Sequence, residues 1–374
     1  MQGGYIAGGG SVVISNFLEQ LTLLSSCQVF VITDKDGYFK IDNAKVVEFD
    51  FKADDKNFLK AVELDIKQNN YDCVFSFLDN NIFYNSFLQC HSSKYKCQNT
   101  PLFVRWFKKL SSVKKIKYQK KALENFDKNC KLFAVSEKIK RDYVENLKLP
   151  AQNIITVYPA AKQPSEDYSF WEKNEKICFG VVANSAMNKG GHIFTFALGV
   201  LKMFGYDFKL KIIAPKFEKD FLLKFFVGIF GMKNNIEILN KQENMEYFYK
   251  SIDCLVLPSV NEAFGLVVLE AMTYSKPVLV SSNAGASEII NDGKNGFIFN
   301  RKSFWDFIKK LRNIIKLYQN DFELYKEISK QGCLTSKKYT WKNFTLKVIK
   351  SIFNDFWKIF NVQNTKTFAS FKVF

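Results

Sequence analysis

Apolar residues along this chain fall into short unbroken runs, separated by stretches in which they recur every three or four positions. The runs at Gln28–Thr33, Val46–Phe49, Asp72–Phe77, Lys131–Ser136 and Ile154–Pro159 predict strands in the first half. Those at Ile177–Val182, Leu210–Ala214, Ile236–Leu239 and Cys254–Leu257 predict strands in the second. Unbroken apolar runs of this length suit strands covered on both faces, as in a parallel sheet. Between them, Gly8-Gly9-Gly10-Ser11 opens a helix carrying Val12, Val13, Phe17, Leu18, Leu21 and Leu24 at helical spacing. Further helices are predicted at about 56–69 and at Met245–Ser251, Leu266–Met272 and Trp341–Phe360. Phe217–Met232, rich in Phe with Lys224 and Lys233 interspersed, reads as core helix in preference to a membrane wedge. Residues 361–374 carry no clear signal, and no internal repeat or low-complexity tract is present. Strand and helix alternate throughout, which predicts an α/β chain.

With 374 residues, 47% of them hydrophobic, the chain is long enough for two such domains. Residues 162–175, with Pro164, Ser165 and several charges, read as the linker. The predicted partition is a first domain at 1–165, a second at 166–340, and a terminal helix and tail at 341–374. Seven residues precede Gly8, too few for the strand and loop that usually lead into such a helix, so either the chain starts late or this start is internal to a longer one. The 39 Phe residues are expected chiefly to fill cores. A net charge of +17 favours phosphates, nucleic acid or an anionic lipid surface. The cysteines stand singly with no C-x-x-C pair, so reduced, cytosolic conditions are expected. Met1-Gln2-Gly3-Gly4 is neither basic nor followed by an apolar core, so no signal peptide is expected, and no apolar run is long enough to span a bilayer.

The most informative stretch is Leu257–Ala271, where a strand end is broken by Pro258 and a helix follows Gly265. Ser259 and Asn261 suit a loop or a helix cap there. A strand, a tight loop and a helix N-terminus together attract an anion, because unpaired N–H groups and the helix dipole converge on it. Glu262 and Glu270 flank this loop. Were the whole interval helical they would lie ~12 Å apart along the axis, beyond the ~5–9.5 Å of a glycosidase carboxylate pair. They suit instead a ligand with a phosphate in the middle and hydroxyls at both ends, which is the shape of a nucleotide sugar. The alternative is a buried βαβ unit with incidental acids. A second small-residue loop, Ala183–Gly191, carries Lys189, whose ammonium is suited to a diphosphate. The Gly8–Gly10 loop is either a third anion-compatible helix start or a plain turn. With only His91 and His192 in the chain, a multi-His metal site is excluded. From Phe103 to Phe126, basic residues run without an acid until Glu124 beside an apolar stripe, giving either an interfacial membrane helix or a solvated helix docked on the first domain.

Glu262-x7-Glu270 enclosing Phe264-Gly265 resembles the signature of retaining glycosyltransferases of the GT-B fold, family four. Lys276–Val280, then Asn283-Ala284-Gly285-Ala286-Ser287-Glu288 and Asn295-Gly296-Phe297, resemble that family's following strand, glycine loop and turn. Lys189-Gly190 matches the end of the family's phosphate loop, while Asn184 stands where the family usually has arginine. The pattern is most similar to lipopolysaccharide core α-glucosyltransferases. The resemblance implies two Rossmann-like parallel-sheet domains facing a cleft, with a C-terminal helix crossing back to the first. It implies that Glu262 holds sugar hydroxyls, Glu270 the ribose diol, and Lys189 the diphosphate. Gly9, Gly10, Asn184, Asn188, Phe264, Gly265, Leu266 and Val267 would line the donor, Asn240 would lie against its base, and His91 would contact its sugar.

The expectation is therefore a retaining hexosyltransferase. It uses a nucleoside diphosphate sugar, UDP-linked, and an acceptor that is a lipopolysaccharide, lipooligosaccharide or other lipid-linked glycan. It needs no metal and no cofactor beyond that donor. It is expected to be cytoplasmic and peripheral on the inner face of the cytoplasmic membrane, held to anionic lipid through residues 103–126, with no nucleic-acid partner. The competing readings are a catalytically degenerate nucleotide-sugar-binding protein and a non-enzymatic basic binder of anionic surfaces or nucleic acid.

Overall fold

The computed structural model describes residues 9–24, 28–34, 44–49, 68, 73–75, 131–164, 172–182, 189–213, 221–240, 244–352 and 370–373. The turn at Leu78–Asn81, His91, the basic stretch 103–126 and the loop 183–188 lie outside them, as does most of the predicted helix at 56–69. The chain divides into two compact units, Met1–Pro159 with Trp341–Phe374, and Ala160–Thr340.

In the first unit, α1 (Gly9–Leu24) precedes β1 (Gln28–Asp34), β2 (Ala44–Phe49) and β3 (Cys73–Phe75). β4 (Leu132–Ala134) and β5 (Ile154–Thr156) pair in parallel, with α2 (Glu137–Leu147) between them. Ser136 caps α2 by accepting a 3.2 Å hydrogen bond from the Ile139 N–H, satisfying one of the donors left open at a helix start. α1 buries Val13, Phe17, Leu18 and Leu21. α9 (Trp341–Ile352) packs against it, with Phe344 meeting Phe17 edge to face at 6.1 Å.

The sheet of this unit departs from the sequence reading. Ser370–Val373, in the tail that gave no signal, forms β12 and lies between β1 and β3 in a four-stranded parallel sheet of order β2-β1-β12-β3. Phe371 is opposite both Val29 and Cys73. Four residues interrupted by Lys372 are too short a run to register as a periodic pattern. The strand owes its place to hydrogen-bonding neighbours on both sides, a tertiary cause invisible in local sequence.

The second unit is built on six strands, β6 (Cys178–Val182), β7 (Lys209–Ile213), β8 (Ile236–Leu239), β9 (Cys254–Leu257), β10 (Val278–Ser281) and β11 (Phe297–Phe299). All neighbours run parallel, in the order β11-β10-β9-β6-β7-β8. Joining them are α3 (Gly191–Met203), α4 (Phe221–Ile229), α5 (Glu246–Lys250) and α6 (Leu266–Thr273), and α7 (Phe304–Asn320) and α8 (Phe322–Ser336) follow β11. Phe179, Phe194, Leu198, Phe208, Leu210, Leu311, Tyr318 and Tyr325 fill the layer between strands and helices with no exposed surface. The chain winds outward from β6 to β8, then returns to β9 beside β6 and winds the other way. Such a reversal of strand order is where open α/β sheets place a ligand, at the carboxyl ends of those two strands.

The Phe-rich stretch expected as core helix is corrected here. In α4 only Leu223 and Val227 are buried, whereas Phe221, Leu222, Phe225 and Ile229 face outward. The helix packs chiefly against α3 and sends Leu223 into the core.

Candidate active site

At the carboxyl end of β6 the chain reaches Lys189 and then Gly190, whose φ of 71° places it in the left-handed region at the N-cap of α3. A side-chain carbon at Gly190 would stand 2.1 Å from the Pro258 carbonyl oxygen. Only glycine permits both that conformation and that approach. Gly190 is thereby pressed onto Pro258 in the loop after β9.

That second loop is fixed mainly by backbone. Glu262 bridges to Ala284, the Gly285 N–H donates to the Glu262 carbonyl at 3.1 Å, and the Ala286 N–H donates to the Phe264 carbonyl at 2.8 Å. The Asn283 side-chain amide donates to the Val260 carbonyl at 3.2 Å. Gly265, at φ 103°, then turns the chain into α6, where a larger residue would collide with Leu257 at 2.6 Å. Of the two alternatives for Ser259 and Asn261 the loop holds: Gly265 is the N-cap and no side chain caps α6. The Ser259 hydroxyl hydrogen-bonds instead to the Glu262 carboxylate at 3.3 Å.

With both loops held, the Lys189 ammonium forms an ion pair with Glu262 Oε2. The partners are 73 positions apart in sequence. Lys189 keeps 35% of its side chain exposed and Glu262 16%, so the pair is reachable from solvent. The first turns of α3 and α6 stand beside it, and their leading N–H groups have no acceptor within their own helices. A cation and two positive helix ends converge on one spot, with a carboxylate among them.

Glu270 lies on α6, one turn beyond that start. The interval from Glu262 is not one helix, since Gly265 breaks it. The Tyr249 hydroxyl of α5 donates to Glu270 Oε2 at 2.5 Å. Burial pushes the Glu270 carboxyl above its ordinary pKa, and the hydrogen bond from Tyr249 partly opposes this. Burial likewise raises the phenol of Tyr249, with the neighbouring Glu270 charge adding to it.

Among the other predicted residues, Phe264 and Gly265 are buried in the loop, Leu266 and Val267 are half-buried on the first turn of α6, and Asn240 is exposed at the end of β8. Gly9 and Gly10 form the first turn of α1 in the first unit. Asn184, Asn188 and His91 lie outside the described residues. Sequence reasoning missed Tyr249, whose role depends on a hydrogen bond across two elements, and Arg301. Arg301 lies in the wall of a cavity of about 320 Å³ shared with His192, Phe196, Phe226, Pro258 and Phe304. Burial lowers the pKa of its guanidinium, and its Nε has no hydrogen-bond partner. The aromatic walls of this cavity suit an apolar group better than a diphosphate.

Comparison with known proteins places this geometry in context. Residues 163–333 match the profile of the family described as glycosyl transferases group 1. An uncharacterized glycosyltransferase of Methanocaldococcus jannaschii is 27% identical over 308 residues, covering 79% of this chain and 77% of the relative. The sulfoquinovosyl transferase SQD2 of Arabidopsis thaliana is 36% identical, but over 109 residues, 28% of this chain and 21% of the plant protein. Among solved structures, WaaG, a glycosyltransferase involved in lipopolysaccharide biosynthesis, superposes with a TM-score of 0.72 at 16% identity, covering 93% of this chain and 97% of its own. Anabaena Alr3699/HepE, solved in complex with UDP and glucose, gives 0.69 at 16% identity over 94% and 97%. These likenesses establish the GT-B fold expected from the sequence.

Proposed function

We propose, from the premise that residues 163–333 are a domain of the glycosyl transferases group 1, that this chain is a retaining hexosyltransferase. It takes the hexose from a nucleoside diphosphate sugar, UDP-linked, and passes it to a lipopolysaccharide, lipooligosaccharide or other lipid-linked glycan at the cytoplasmic face of the membrane. The observation that carries this reading is the meeting of Lys189 and Glu262 between the starts of α3 and α6, at the point where the strand order reverses. WaaG and HepE, described by their lipopolysaccharide role and bound UDP, support the choice of acceptor and donor.

In the reaction the bond from the anomeric carbon to the phosphate oxygen breaks and a bond to the acceptor oxygen forms. The acceptor's proton leaves with the diphosphate. Negative charge grows on that leaving group, and its stabilisation by preplaced donors is the largest catalytic contribution. Lys189 and the first N–H groups of α6 supply it. When donor enters, the Lys189 ammonium exchanges the Glu262 carboxylate for phosphate oxygens, which frees Glu262 to grip sugar hydroxyls. Glu270 holds the ribose diol. The acceptor attacks on the face the diphosphate leaves, without a protein nucleophile, so the anomeric configuration is kept. The cations are the protein's own, and transfer is expected to survive a divalent-ion chelator.

A panel of nucleotide sugars read by thermal shift, followed by transfer to membrane extract and determination of product anomericity, tests the reading. A UDP-hexose is expected to raise Tm and to label lipid-linked glycan with retention. No shift from any nucleotide sugar removes the donor site, and inverted product removes the mechanism.

A further inference from the structure

The second unit displays an apolar surface that the donor site does not use. α4 spans nine residues, and at about 100° per residue Phe221, Leu222, Phe225 and Ile229 share one side of it. These four are 76%, 39%, 48% and 64% exposed. The Phe221 and Phe225 rings stack on each other at 6.2 Å.

This stripe is held firmly from behind. Leu223 and Val227 are buried on the opposite side, and Phe226 and Phe230 pack on Phe196 of α3 at 5.1 and 5.5 Å. Gly199 of α3 makes room for the Phe230 ring, which would stand 2.2 Å from any side-chain carbon there. The Lys202 ammonium ties the end of α3 to the Gly231 carbonyl at 2.6 Å and to Asn235 Oδ1 at 2.8 Å, beside the exposed Met203 and Phe204. From Phe196 the ring series continues through Phe304 at 5.4 Å to Trp305, which is itself exposed. A stripe of exposed apolar side chains on a rigid support marks a contact site.

Charge decides what the contact is. α4 itself contains no acid, although Glu218 and Asp220 precede it in sequence, and Lys224 on it and Lys233 after it are exposed. A second copy of a chain carrying +17 would bring like charge against like. An anionic bilayer offers an apolar interior beneath a layer of phosphates, and tryptophan settles at the boundary between them.

We propose that α4 is a membrane-contact helix of the second unit. Phe221, Leu222, Phe225 and Ile229 enter the acyl–headgroup boundary of an anionic bilayer, while Lys224 and its neighbours meet lipid phosphates. This contact is separate from the basic stretch 103–126 and does not require the transfer reaction, so its failure leaves the donor site standing.

The test uses the full chain with vesicles of three parts phosphatidylethanolamine to one part phosphatidylglycerol at physiological ionic strength. The double variant Phe221→Ser/Phe225→Ser, exposed and therefore expected to keep the wild-type Tm and nucleotide-sugar shift, should lose about tenfold or more in co-sedimentation. Benzoylphenylalanine incorporated at position 225 should crosslink to lipid on illumination. Undiminished sedimentation of the double variant overturns the proposal. So does a crosslink to a second copy of the chain, or no lipid crosslink while the labelled chain sediments.

Discussion

Two clusters of charge stand at opposite ends of the strands of the second unit, and they are built on opposite principles. At the carboxyl edge, Lys189 and Glu262 pair while remaining partly open to water, on loops held by backbone hydrogen bonds and two left-handed glycines. At the amino edge, Asp253 is buried and held by donors: the Cys178 N–H at 2.8 Å and the Asn174 side-chain amide at 3.0 and 3.2 Å. Tyr325 donates to the Asp253 carbonyl at 2.8 Å. Lys276, also buried, has its pKa lowered to about 8 by loss of hydration, partly restored by the charge of Asp253. The first cluster has exchangeable partners and access, as a binding site needs. The second has neither, and ties strand ends together.

The contrast is broken most directly by exchanging what each cluster controls. Lys189→Ala is expected to lower kcat about 10²–10³-fold, the range for losing one donor to a developing oxyanion, with Tm nearly unchanged. A fall in Tm with kcat intact would make the carboxyl edge structural. Next in size, Asp253→Ala should cost about 3 kcal/mol in urea unfolding, since it strands buried donors, while donor KM in the folded fraction stays the same. Lys276→Met sharpens the contrast through pH. The folded lysine binds its proton more weakly than the unfolded one, so across the window from about pH 8 to 10.5 the unfolded state holds more protons and stability rises with pH. Below that window the protein carries the full cost of a buried ammonium. The variant should therefore be more stable at pH 7 by roughly 3 kcal/mol, the gain vanishing near pH 10.5. An equal gain at both pH values would refute the linkage. The smallest change is expected from Glu270→Gln, which keeps an acceptor for Tyr249 but removes a carboxylate that burial disfavours. It should raise the Tm of the free protein slightly and raise donor KM several-fold, and a lowered Tm would show that the carboxylate stabilises the fold.

The same contrast separates what the chain spells out from what it conceals. Pro258, Gly265 and the spacing of Glu262 and Glu270 mark a strand–loop–helix turn by local chemistry, as does Lys189-Gly190 at the end of its small-residue loop. Their contact is not local: it follows from β9 lying beside β6, a consequence of strand order that no hydrophobic period encodes. The Asp253 cluster is not legible in the sequence because Asn174 and Asp253 look like ordinary polar punctuation between elements, and join Lys276 in a network only when strand ends converge. α4 misled for the opposite reason. Its Phe content speaks of burial, and only its packing against α3 reveals that half of it stays outside.

The position of β12 bears on how the protein comes into being. It is an interior strand of the first sheet, yet it follows the whole of the second unit in sequence. On the ribosome, all the polypeptide of the second unit emerges while β1 and β3 still wait for the strand that joins them, so the unit begun first is finished last.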